Sequence, residues 1–237
     1  MTQFKLQDEN GFNQVFTPVG STLIRANRRN AWFVAQAERV KAKRILEIGC
    51  GTGEAAAYVA QHITAEVVGV DISDSFLAHA KATHKAPNLR FEKLDLLGEN
   101  PLVLGKFDMI YGNGILHHLV VELESVLGTM RSMTQDGGCM AFIEPNLMNP
   151  YCAFIFGTRI GRKWACLEPD EMAFSAARLR QRVQASGWRD ISIVTRDFLL
   201  PGIPHSLVKP TLVVEPALEA TALTRWLAQS HFLTAGV

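Results

Sequence analysis

The decapeptide Ile45-Leu46-Glu47-Ile48-Gly49-Cys50-Gly51-Thr52-Gly53-Glu54 constrains this chain more than any other stretch. An apolar run reads as a buried strand, three glycines follow at alternate positions, and an alanine-rich helical stretch, Ala55 to Ile63, begins at once. Strand, tight turn and helix in that order build a cradle for a small ligand in an α/β protein. The glycines permit positive φ and let a ligand approach bare backbone.

Three ligand types use such a turn. A phosphate-cradling P-loop needs G-x-x-x-x-G-K-[ST], and the chain has no such run. A dinucleotide fingerprint needs G-x-G-x-x-G, but the third glycine slot holds Glu54 and Gly53 comes one residue early. Glu54 would also set a carboxylate where a pyrophosphate should sit, at a helix start that favours a single anion. A ligand without phosphate avoids that conflict.

The chain has 237 residues, enough for one α/β domain with a real core. Its net charge of +1 gives no overall pull toward nucleic acid, so a nucleic-acid partner is not expected. The N-terminal Met1-Thr2-Gln3-Phe4-Lys5 lacks the apolar core of a signal peptide, and no apolar run reaches the ~18 residues of a spanning helix. Cys50, Cys139, Cys152 and Cys166 form no C-x-x-C pair, so reduced thiols and a cytoplasmic setting are expected. Cys50, inside the cradle, reads as a small apolar filler.

Apolar runs alternate with helical patterns, the signature of a doubly wound, mostly parallel sheet. Strands are expected over Arg44–Ile48, Glu66–Val70, Leu89–Leu94, Phe107–Tyr111, Cys139–Ile143 and Ile191–Thr195, with a last apolar segment at Phe232–Ala235. Helices are expected after Ser73 as N-cap, over His118–Met133, over Met172–Ser186 and near Ala217–Ala228. Pro201, Pro204 and Pro210 predict an irregular connection.

The pattern E-x-G-x-G-x-G, Glu47 through Gly53, resembles motif I of class I S-adenosylmethionine (SAM) methyltransferases, and the resemblance covers residues ~40 to 237. It implies a Rossmann-like seven-stranded sheet whose last strand is antiparallel, and S-adenosyl-L-methionine as cofactor with S-adenosylhomocysteine (SAH) as product. It also implies a SAM-binding domain over 41–237 with a substrate-side insertion at 145–171, preceded by an N-terminal helical lid over 1–40. The segment Gly112-Asn113-Gly114-Ile115-Leu116-His117-His118 is similar to the L-H-H-L segment of the ubiquinone/menaquinone-type and secondary-metabolite methyltransferases.

In open α/β sheets ligands bind outside the carboxyl ends of strands, so residues there are the candidates. Gly49, Gly51 and Gly53 with Glu47 would wall the methionine end of SAM. Asp71 would accept from the ribose hydroxyls, or else cap a helix, and Ile72 would pack on the adenine. Asp95 would meet the adenine amine and the Leu96 N–H a ring nitrogen, the alternative being a solvated loop acid. Asn113 would line the methionine end through backbone carbonyls.

His117 and His118 are candidate bases at an expected helix start, whose positive end should lower a histidine pKa; a structural or positioning role is the stronger alternative. Two adjacent histidines make no metal site without further ligands, and none is expected. Glu144 would hold or deprotonate the acceptor, or pair with Arg159 or Arg162; Tyr111 is a further candidate base.

Aromatic groups at Phe12, Phe16, Trp32 and Phe33, and at Tyr151, Phe154, Phe156 and Trp164, suit an apolar or ring-bearing acceptor, or simply pack a lid. The basic run Arg25, Arg28, Arg29, Arg39, Lys41, Lys43 and Arg44 reads first as a solvated face. The resulting expectation is in-line transfer of the SAM methyl group to an oxygen of a small, aromatic or apolar metabolite. Nitrogen or carbon acceptors, and a SAM-binding scaffold without catalysis, stand as alternatives; oligomeric state, a homodimer included, stays open.

Overall fold

Side chains alternate across a strand, so Ile45 and Glu47 point to one face while Leu46 and Ile48 point to the other. The structure, a computed structural model, describes residues 2–6, 13–17, 20–98 and 100–237. A hairpin of β1 (Thr2–Leu6) and β2 (Asn13–Thr17) leads to helix α1 (Ser21–Arg39). Among the described residues of the expected N-terminal helical segment, helix begins at Ser21 and two strands precede it. The β-branched and aromatic residues Val15, Phe16 and Thr17 favour a strand over a helix. Phe12 lies outside the described residues, as does the side chain of Phe16.

The main unit runs β3 (Arg44–Ile48), α2 (Glu54–His62), β4 (Glu66–Asp71), α3 (Asp74–Thr83), β5 (Leu89–Lys93), β6 (Phe107–Asn113), α4 (Leu123–Ser132) and β7 (Thr134–Pro145). It continues with α5 (Pro150–Gly157), α6 (Arg159–Trp164), α7 (Ala176–Ala185), β8 (Arg189–Arg196), α8 (His205–Ala220), α9 (Ala222–Arg225) and β9 (Ser230–Gly236). The seven strands lie in the order β5-β4-β3-β6-β7-β9-β8. β3 through β7 pair in parallel, and β9 alone is inserted antiparallel between β7 and β8.

The register Ile45↔Met109 and Leu46↔Ile110, continued by Met109↔Cys139 and Ile110↔Met140, stacks like-facing residues across the sheet. Ile45, Met109 and Cys139 meet Phe33 of α1, Val59 of α2 and Leu77 of α3. Leu46, Ile110 and Met140 meet Val126 and Met130 of α4 and Val183 of α7. Full burial of each aliphatic side chain contributes about 1.5–3 kcal/mol, so both faces need their helices.

Two expectations need correction. The helix after β6 begins at Leu123, because a separate 3₁₀ turn, Leu116–His118, comes first. The proline-marked connection is mostly helix: α8 contains Pro210 and Pro216. Each proline removes one N–H donor, but Val213 and Val214 are exposed, so water can reach that stretch of the helix and satisfy freed carbonyls.

Candidate functional site

The glycine turn is shaped by what packs beneath it. Gly49 has φ +64°, and a Cβ there would meet the Ile115 side chain at 2.5 Å. Gly53, the N-cap of α2, has φ +89°, and a Cβ there would meet Phe91 at 2.7 Å. Larger residues would therefore strain the backbone and push the helix from the sheet. Cys50 is buried, and desolvation pushes its thiol pKa up, as an inert filler requires.

A cavity of about 470 Å³ opens at the carboxyl ends of β3, β4 and β5, and Gly49, Asp71, Ile72, Asp95 and Leu96 line it. The volume is in the range of small-molecule sites. Two larger depressions, one near Lys41 and Lys43 and one near Lys85 and Arg90, flank the opposite ends of the strands, away from these groups. Asp71 receives the Gly51 N–H on Oδ2 and the Ser73 N–H on Oδ1, each at 2.9 Å. Two backbone bonds thus fix a carboxylate that has further lone pairs for hydroxyl donors. Ser73 caps α3 through the Phe76 N–H at 3.3 Å. Ile72 is 55% exposed, an apolar side chain bare at the rim. The Asp95 carboxylate accepts from the Leu97 N–H at 2.9 Å.

Other residues of the motif and of β6 stand off this cavity. Glu47 is buried beneath the turn and accepts from the Tyr111 hydroxyl at 3.1 Å. Tyr111 is wholly buried, and burial followed by the Glu47 charge raises its pKa well above the usual value, so it is not placed to serve as a base. The Asn113 side chain accepts from Arg29 Nη1 at 3.1 Å. Glu54 turns onto the Thr52 hydroxyl, at 2.6 Å.

The turn that follows β6 forms one wall of the cavity through Ile115 and Leu119, and it carries both histidines. Glu144, at the end of β7, is 1% exposed and faces the inside of this turn. It accepts from the N–H groups of Ile115, Leu116 and His117 at 3.0, 2.8 and 3.3 Å and bonds His117 Nδ1 at 2.9 Å. This corrects both readings of Glu144: it neither lies open to an acceptor nor pairs with an arginine. Arg162 instead ties together the carbonyls of Phe156, Glu168, Pro169 and Glu171.

His118 is half-exposed and lies 3.3 Å from Glu171 Oε1 through Nδ1. Burial by itself would lower its pKa, but the Glu171 hydrogen bond and the charges of Glu171, Glu144 and Glu168 outweigh it and raise the pKa. At His118 the lowering expected of a helix start fails, because this residue closes a short turn and faces acids. Glu171 is the site residue that the sequence did not flag. It is buried and follows α6, and the neighbouring Met172 N–H bonds the His117 carbonyl at 3.2 Å.

The aromatic groups divide. Phe33 packs on Tyr111 at 4.7 Å within the core, and half-buried Trp32 packs on Phe232 at 5.0 Å at its edge. Phe156 stands edge-on to His117 at 5.7 Å, while Phe154 and Trp164 are exposed. The basic run divides: Arg25 and Arg29 close on Asp197, Arg28 on Glu215, and Arg44 on Glu66, while Arg39, Lys41 and Lys43 are exposed, as a solvated face would be.

Part of the sequence and the fold are similar to those of known methyltransferases. Residues 46–140 match the family model of a methyltransferase domain. A trans-aconitate 2-methyltransferase of Deinococcus radiodurans is 36% identical over 103 residues, covering 43% of this chain and 38% of that protein. Another of the same name from Variovorax paradoxus is 28% identical over 189 residues, covering 79% of this chain and 67% of that protein. The crystal structure of a SAM-dependent methyltransferase from Archaeoglobus fulgidus superposes with a TM-score of 0.58 at 16% identity, over 90% of this chain and 98% of that one. It shares the fold. No helix among the described residues is long and apolar enough to cross a membrane.

Proposed function

Since this chain carries a class I SAM-dependent methyltransferase domain, we propose that it methylates an oxygen atom of a small molecule bound beside the His117–His118 turn. SAM, when bound, supplies a methyl group on a sulfonium leaving group. The residues present fit it: Gly49 lines the cavity with bare backbone, Gly51 has open space where a Cβ would stand, Asp71 offers a prepositioned carboxylate to ribose, and Ile72 offers an apolar face to adenine. Asp95 and Leu96 would meet the adenine edge, and Gly51, Gly53 and the Asn113 backbone would shape the methionine end. Glu47 lies beneath that wall.

One observation carries the acceptor side: Glu144, bonded to three backbone N–H groups, also fixes His117 Nδ1. The other ring nitrogen is left for the acceptor, so the paired imidazoles are where its proton is drawn off. Glu144 acts through His117 and is a positioning residue. The N-terminal segment 1–40 and the insertion 145–171 would enclose the acceptor, with Phe156 supplying an apolar wall next to His117. The relatives' name, trans-aconitate 2-methyltransferase, supports a small organic acceptor.

The test uses methyl-labelled SAM, purified protein and a small-molecule extract, with the labelled product identified by mass and NMR. Label on oxygen is expected, and His117→Ala should cut turnover about 10²–10⁴-fold with SAH binding unchanged. Label on carbon or nitrogen sinks the oxygen assignment, and an unaltered rate in the variant sinks the role of His117.

A further inference from the structure

We propose that His117, His118 and Glu171 form a binding site for a divalent transition-metal cation such as Zn²⁺ or Mn²⁺. One ligand atom from each lies within 4.8 Å of the others. The two imidazole rings are 4.2 Å apart, centroid to centroid, and tilted by 36°, so they converge without stacking. Two imidazoles and one carboxylate are a donor set for borderline metals, with coordination positions left open for an exogenous oxygen.

The surroundings of the three groups support the same reading. Glu144 holds His117 through Nδ1, which leaves Nε2 as the ligand, the outer carboxylate–imidazole arrangement that orients metal-binding histidines. Glu144 and Glu171 are buried carboxylates, and among the described residues no lysine or arginine pairs with either. Metal–nitrogen and metal–oxygen bonds of about 2.0–2.2 Å require the ligand atoms to close in by roughly an ångström. His118, at the exposed edge of its turn, has room to do so.

The inference rests on the reading that this turn faces the acceptor. With the ion bound, the imidazole nitrogens are ligands, and an acceptor oxygen in an open position is activated by the ion in place of a free imidazole. The experiment is titration of EDTA-stripped, full-length protein with Zn²⁺ and with Mn²⁺, followed by calorimetry and metal analysis. SAH-induced thermal stabilisation is measured on the same samples. One equivalent per chain is expected, with affinity lower by at least tenfold in Glu171→Gln and in His118→Ala while SAH still stabilises both variants. The proposal falls if the wild type takes up no stoichiometric cation, or if binding is unchanged in both variants. If SAH stabilises the wild type but neither cation binds, the metal site is wrong and the methyltransferase reading stands. If SAH does not bind, that reading fails whatever the cation does.

Discussion

Glu47 shows how a residue of the glycine motif can act on stability more than on ligand contact. Burial is the main reason its pKa is raised to about 8; the charges of Glu54 and Asp71 add to the rise, and the Tyr111 hydrogen bond opposes it. The folded protein therefore holds this proton at pH values where the unfolded chain, with a carboxyl near 4.5, has released it. Between these two values the folded state binds more protons, so this group's contribution to stability falls as pH rises and levels off above the folded pKa. Glu47→Gln keeps an acceptor for Tyr111 and cannot ionise. Scanning calorimetry should find the variant and wild type close at pH 5. At pH 8 the variant should be more stable by about 1 kcal/mol or more, roughly 2–4 °C in Tm. A difference that does not change with pH would show that Glu47 is ionised in the fold. The motif's spelling was legible in the sequence; this protonation state was not, because it depends on Tyr111 and on the burial of the whole turn.

Between elements, α1 is tied to the end of β8 by charge. Arg25 Nε and Arg29 Nη2 lie 3.0 and 2.8 Å from the same oxygen of Asp197. Burial would raise the Asp197 pKa, but Arg29 and Arg25 outweigh it and hold the carboxyl below its usual value. Its contribution is thus present above the unfolded pKa and is lost as pH falls through the folded one. Asp197→Asn would leave two desolvated guanidinium groups without their shared anion. It should cost about 3–5 kcal/mol in urea unfolding at pH 7, against under 1 kcal/mol if these pairs behave as surface pairs. The basic run that includes Arg25 and Arg29 is obvious in the sequence, yet its partner lies 168 residues from Arg29. A charge pattern along one helix shows which face is basic, not which acid the fold brings to it. α8 gives the converse case: prolines marked a break, and a helix formed with those positions near solvent.

At the scale of the molecule, the cavity links cofactor binding to folding, since its lining comes from three strand ends that separate on unfolding. SAH at about 100 times its Kd should add roughly 2.7 kcal/mol, or about 5–10 °C in Tm, and NAD at equal concentration none. Equal shifts with both ligands would contradict the reading of Glu54 against a pyrophosphate. The order of strands and helices, the glycine cradle and the places of Asp71 and Asp95 were set by local rules. Hydrophobic period, glycine spacing and the position of acids at strand ends act over a few residues and can be read directly from the chain. Tertiary structure decided which distant groups meet: Glu144 with His117, Glu171 with His118, and Asp197 with Arg25 and Arg29. Those pairings depend on how β7, the chain after α6 and the end of β8 converge on one side of the sheet. Burial then sets their charge states, and burial belongs to the assembled fold, not to any segment of it.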